Sequence, residues 1–181
     1  PEQYLQTNLE KGFYSLLWIS ILLSMMLATE DIFLEDFSDG TLEQTIISNP
    51  SFPLLIAKKI FIYWLMIGVP ISFLSFLFSL SLTQDFNLSL SIFPLSVVSS
   101  YIFLNLFVFG NALSLNKGSV LGAIITMPLA LPVLIILGKS VIAIEFGINY
   151  VEFLLLLLGI LSIIITIVPF IISYVIKAHL E

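Results

Sequence analysis

Five apolar stretches, near residues 13–29, 54–82, 90–115, 119–143 and 151–176, alternate with polar links at Thr29–Pro53, Thr83–Asn87, Asn116–Gly118 and Glu145–Tyr150, and a polar tail starts at Lys177. A hydrocarbon core of about 30 Å takes about 20 helical residues at 1.5 Å each, and every stretch meets or approaches that length. None shows the alternating polar face of a barrel strand, and all are too long to be one. The pattern predicts an all-α, polytopic transmembrane helical bundle of five spans, forming a single membrane domain over residues 1–181. Short links make consecutive helices antiparallel neighbours.

Composition narrows this further. Of the 181 residues, 59% are apolar and 10% charged, against about 25% charged in a soluble domain. Too little polar surface exists to cover a water-soluble fold, so lipid is the required second solvent. The net charge of −6 and the absence of any Lys or Arg cluster argue against a nucleic-acid partner. With no cysteine, disulfides, thiolate metal sites and thiol catalysis are excluded together. His179, the single histidine, reads as a solvated tail residue rather than a haem or metal ligand. The chain starts at Pro1 instead of a methionine, which raises the expectation of a further N-terminal piece able to hold another span. Phe13–Ala28 lacks a preceding basic segment, so it reads as a retained helix and not a signal peptide.

Alternating sides puts Lys58, Lys59, Lys117 and Lys177 on one face, against Lys11 and Lys139 on the other. The excess of cations marks the first face as cytoplasmic, or matrix-facing in a mitochondrion. Lys58 and Lys59 read as snorkelling side chains.

Within the spans, Pro70, Pro94, Pro128, Pro132 and Pro169 each remove a backbone donor. Pro70 and the pair Pro128 and Pro132, one helical turn apart, are candidate kinks; the alternative is ordinary membrane proline satisfied by neighbouring groups. Ser72, Ser75 and Ser79 share one side of the second span, while Gly118 and Gly122 form a G-x-x-x-G. Small residues permit close helix approach, and the same spacing serves a homodimer or an intrachain contact, with the intrachain contact favoured. Asn105 and Asn111 are the strongest polar groups inside a span and read as interhelical hydrogen-bonding residues.

The most informative segment lies at 30–53. Glu30, Asp31, Glu35, Asp36, Asp39 and Glu43 are half of the chain's twelve acids. Asp39-Gly40 is a turn signal, and Thr41-x-x-Gln44 has capping-box spacing. A short helix from Leu42 to Ser48 is expected to follow, stopped by Asn49-Pro50, with Leu42, Ile46 and Ile47 on one face. It is either a solvated loop or a docking helix whose apolar stripe sits against the bundle while its polar groups meet a soluble partner.

The run Glu35–Asp36–Phe37–Ser38–Asp39–Gly40–Thr41–Leu42–Glu43–Gln44, followed by Pro50 and Ala57–Lys58, resembles the E-x-x-x-G-T-L-E-x-x-x-x-x-P segment of export-type ABC permeases. More narrowly, with Tyr63-Trp64, Gly68–Val69–Pro70 and Met127–Pro128–Leu129–Ala130–Leu131–Pro132 in the same order, the chain resembles the permease component of the cytochrome c maturation ABC transporter, the haem exporter protein B family. It departs from that family in having five spans where six are usual, and in keeping only Lys117 of the basic residues often found at 116–118. The resemblance implies a multi-pass protein of the bacterial inner membrane or mitochondrial inner membrane, an ABC-2-like fold, and no enzymatic activity of its own. Its implied partners are an ABC ATPase subunit, a haem-handling membrane subunit and a haem chaperone, with ATP bound by the ATPase and haem as the substrate of the complex.

The residues themselves agree with this division of labour. No G-x-x-x-x-G-K-[ST] loop is present to cradle a nucleotide, and Trp18 and Trp64 are the only tryptophans, so no tryptophan-rich haem segment exists. Glu35, Asp39, Gly40, Thr41, Leu42, Glu43 and Gln44 are the candidate ATPase-coupling residues. The alternatives are a permease of another ABC-2-type exporter, for lipid or polysaccharide, and a non-transporting assembly scaffold.

Overall fold

The computed structural model describes residues 2–30, 32–48, 51–115 and 119–180. Asp31, Asn49, Pro50, Asn116, Lys117 and Gly118 lie outside the described residues, as does the side chain of Lys11. Among those described, the chain is helical and holds no strand. Helix α1 runs Glu2–Ala28, followed by two short helices, α2 at Leu34–Ser38 and α3 at Thr41–Ser48. Next comes one 32-residue helical rod, Phe52–Thr83, made of α4 (Phe52–Tyr63), a π-helical turn at Trp64–Gly68 and α5 (Val69–Thr83). Helices α6 (Phe86–Leu113), α7 (Ser119–Glu145) and α8 (Val151–Leu180) complete the bundle.

Four of these, the Phe52–Thr83 rod, α6, α7 and α8, are long and apolar enough to cross a membrane, and Gly12–Ala28 of α1 is a shorter apolar helix. Their burial differs sharply: 72% of the α6 core stretch is buried, against 22–28% in the other three. Helix α6 is therefore the central post, with α1, α5, α7 and α8 packed around it and α8 returning to lie on α4. Apolar burial alone does not drive such packing in lipid, so close approach and polar contacts must.

The Ser72, Ser75 and Ser79 side is buried and faces α6. Ser79 Oγ donates to Ser89 Oγ at 3.2 Å and shares a 3.0 Å hydrogen bond with the Tyr14 hydroxyl of α1; Ser72 Oγ lies 3.4 Å from Ser100 Oγ. The glycine contact is intrachain. Gly110 of α6 and Gly122 of α7 meet backbone to backbone, and a Cβ on Gly110 would lie 2.5 Å from the Gly122 carbonyl oxygen.

The α5 to α6 reversal takes only Gln84 and Asp85, tighter than the five-residue link read from polarity. Gln84 adopts φ 55°, and Asp85 caps α6 by accepting from the backbone N–H of Asn87 (2.9 Å) and Leu88 (3.3 Å). Helix α6 thus starts at Phe86, four residues before the apolar stretch does.

Pro70 lies just past the π turn. Its ring would crowd the carbonyl one turn back and it offers no N–H. The wider turn, with Val69 N–H donating to Trp64 O five residues earlier, absorbs that mismatch without breaking the rod. Gly68 fits because the Trp64 indole lies where its Cβ would be. That indole donates from Nε1 to Ser100 Oγ at 3.1 Å and packs at a 36° tilt against Tyr101, ring centroids 4.8 Å apart. Pro128 and Pro132 are exposed on the outer face of α7, which continues helically through both.

Candidate functional site

The segment joining α1 to α4 is folded and seated. Thr29 ends α1: its hydroxyl reaches the carbonyls of Met25 and Met26, both at 3.0 Å, so orphan acceptors of the last turn are satisfied by the chain itself. Asn111 of α6 then donates from Nδ2 to the Thr29 carbonyl at 2.6 Å, an interhelical bond that fixes the end of α1 to the central post. Asn105, in contrast, bonds within its own helix, to the Tyr101 carbonyl at 2.8 Å.

Ile32 and Phe33 follow as buried residues, each 2% exposed, and join one hydrophobic cluster with Leu42, Phe52, Ile56 and Ile60. Phe37 and Ile46 pack on its edge. Above these anchors α2 runs for five residues, a helix that polarity alone does not foretell. Lys59 of α4 donates to Asp36 Oδ2 at 2.5 Å and sits 5.4 Å from the centre of the Phe33 ring. Lys59 thus binds the segment, while Lys58 is exposed. The signal for this contact is present in the chain as an acid-rich run and a Lys pair bracketing one loop, although the partner of each charge is not legible from spacing.

Between α2 and α3, Gly40 takes φ 71°, the left-handed region in which a Cβ is strained. Its N–H donates to the Phe37 carbonyl and its own carbonyl accepts from Gln44 N–H at 3.3 Å, so Gly40 closes one helix and opens the next. Thr41 is consequently the first residue of α3 instead of its cap. The Gln44 N–H goes to the Gly40 carbonyl instead of the Thr41 hydroxyl of the expected capping box, and the Thr41 carbonyl accepts from the Thr45 hydroxyl at 2.7 Å.

Of the seven candidate coupling residues, Glu35, Asp39, Gly40, Thr41, Glu43 and Gln44 are exposed and Leu42 is 5% exposed. Leu42 and Ile46 face the bundle. Ile47 does not share their face and is 86% exposed, because five residues of helix rotate it about 140° from Leu42. The outcome is a small bracket with an apolar underside, an acidic outer surface and three ties: Asn111 to Thr29, Lys59 to Asp36, and the buried cluster. At the chain's other end His179 Nδ1 lies 2.8 Å from the Val175 carbonyl of its own helix. Among the described residues, no three His, Asp or Glu are grouped to hold a metal ion.

A bundle with several membrane-length helices around a buried post, and a folded polar bracket between α1 and α4, defines a multi-pass helical membrane protein. Residues 6–179 match the family described as CcmB protein, and the chain belongs to that family. It is 28% identical over 183 aligned residues to a protein of Haemophilus influenzae named Heme exporter protein B, covering all of this chain and 81% of the relative. A protein of the same name from Pseudomonas aeruginosa is 32% identical over 176 residues, 96% of this chain and 77% of the relative. The Escherichia coli K12 protein of that name aligns over 75 residues at 33% identity, 41% of this chain and 33% of the relative.

Proposed function

We propose that this chain is the membrane permease subunit of an ABC transporter complex for cytochrome c biogenesis, which couples ATP hydrolysis by a separate subunit to haem delivery or to release of a haem-loaded chaperone. Relatives named Heme exporter protein B, aligned along nearly the whole chain, support the haem assignment. The observation that carries the coupling assignment is the bracket, whose exposed acids Glu35, Asp39 and Glu43 stand on buried Ile32, Phe33 and Leu42. An ordinary solvated loop has no need of such a footing. A bracket that receives force does, because a load applied to α3 reaches α1 and α4 only if the segment cannot swing freely.

In this reading α3 rests in a cleft of the ATP-hydrolysing subunit on the cytoplasmic side. Nucleotide-driven movement of that subunit displaces α3, and α2 passes the displacement through Asp36 and Lys59 to α4 and through Thr29 and Asn111 to α6. The π turn at Trp64–Gly68 is the place where the Phe52–Thr83 rod can change bend at least cost. The complex works in the bacterial inner membrane or the mitochondrial inner membrane.

Deleting the gene and staining for covalently bound haem tests this assignment. Loss of stained c-type cytochromes, restored by the intact chain but not by a Glu43→Lys chain present in the membrane at equal amount, is the expected result. Normal staining in the deletion strain refutes the biogenesis role and leaves export of another substrate or a scaffold role.

A further inference from the structure

Ile47 has the highest exposure of any large apolar side chain among the described residues, at 86%, and it lies outside the membrane-length helices. Its surroundings make that exposure informative. Glu43, one turn earlier, and Gln44, three residues earlier, flank it on the outward side of α3, and Ser48 adjoins it. An apolar knob inside a polar ring is the arrangement of an interface hot spot, where the ring excludes water from a contact made by one side chain.

We infer that Ile47 is the anchor by which α3 docks into an apolar pocket of its soluble partner, and that cationic groups rim this pocket. The inference rests on the coupling reading above and adds to it the contact that supplies affinity. Charge selects the occupant. Glu43 lies one turn from the knob, and Glu35 and Asp39 are exposed on the same bracket; with Asp36 held by Lys59 and Lys58 the exposed cation on α4, the bracket's outer surface carries net negative charge. An anionic lipid leaflet repels such a surface, whereas a protein pocket edged with Lys or Arg complements it. The acids then set the approach and the on-rate, and Ile47 sets the residence time.

Fully burying an Ile side chain corresponds to about a tenfold to hundredfold gain in affinity. Truncation should therefore be visible in binding without any cost to the fold, since the side chain buries almost nothing in the isolated chain. The test uses the full-length chain in liposomes and the purified ATP-hydrolysing subunit of the same system, with binding measured directly. Ile47→Ala is expected to weaken binding about tenfold, Ile47→Asp to abolish it, and Ile47→Leu to retain it, all three keeping the thermal unfolding midpoint of the parent chain. A photo-crosslinking residue at position 47 should form its adduct with the ATP-hydrolysing subunit.

Two results overturn the inference. One is wild-type binding by Ile47→Ala and Ile47→Asp when Glu43→Lys binds poorly, which leaves the coupling role of the bracket standing on its charges alone. The other is a photoadduct with lipid and none with protein, which makes Ile47 an interfacial anchor. Wild-type binding by all the variants, Glu43→Lys included, removes the coupling reading itself.

Discussion

Substituting Gly110 or Gly122 tests whether backbone contact between α6 and α7 holds the bundle together. A Cβ on Gly110 would sit 2.5 Å from the Gly122 carbonyl oxygen, about 1 Å inside the 3.3–3.6 Å at which a carbon and a carbonyl oxygen rest. The obstructing atom is backbone, so no side chain can rotate away and the helices must separate. A gap of 0.5–1 Å forfeits about a quarter to a half of each dispersion contact it opens, and overpacking of this kind costs about 1–3 kcal/mol. Gly110→Ala and Gly122→Ala are each expected to lower the unfolding midpoint of the detergent-purified chain by several degrees. Their combination should cost less than the sum, because one separation relieves both clashes. Gly138→Ala is the control: on the same α7, a Cβ there meets nothing within 4 Å, and removing a helical glycine gains about 0.5–1 kcal/mol. If Gly110→Ala unfolds no earlier than Gly138→Ala, the close approach is not a source of stability and the argument fails.

Two further outcomes follow from the bracket. Gly40→Ala should destabilise the α2 to α3 turn by about 1–2 kcal/mol, since φ 71° strains an L residue although its Cβ would find open space. Gly40→Asn should cost less, and hydrogen exchange at residues 38–45 reads the difference, equal exchange in the two variants being the adverse result. Asp36 and Lys59 are each partly exposed, 39% and 29%, so a double-mutant cycle with Asp36→Asn and Lys59→Gln should give a coupling of only about 0.5–1 kcal/mol, shrinking with salt; strictly additive losses would show that the pair is geometric and not energetic.

The fold class was legible because lipid imposes a length and a composition that few other structures share, and four of the five apolar stretches carried both. Finer features were legible only where one residue type determines the outcome. Asp39-Gly40 announced a turn, and the Ser72, Ser75 and Ser79 spacing announced a packed side. The glycine partner was not legible: Gly122 meets Gly110, twelve residues back across a reversal, and no local pattern links them. Helix α2 was missed because five residues are too few for a period to register, and it exists through long-range contacts with Lys59 and the buried cluster. Thr41 misled for a related reason, since Gly40 could serve both as terminator of α2 and as the start of α3, leaving Thr41 inside the helix.

The misplacement of Ile47 bears on function most directly. Three apolar residues in an eight-residue helix invite the assumption of one buried stripe, yet about 100° of rotation per residue separates Ile46 from Ile47 far enough that only one can face the bundle. A helix so short has two apolar faces when its sequence puts Leu42 and Ile46 on one side and Ile47 on the other. With the inner face spent on the cluster under α4, the outer face has nothing among the described residues to bury it. In the proposed complex the two faces are the two ends of one mechanical contact: Leu42 and Ile46 hold the membrane rods, Ile47 holds the motor, and the short helix between them is too stiff to bend.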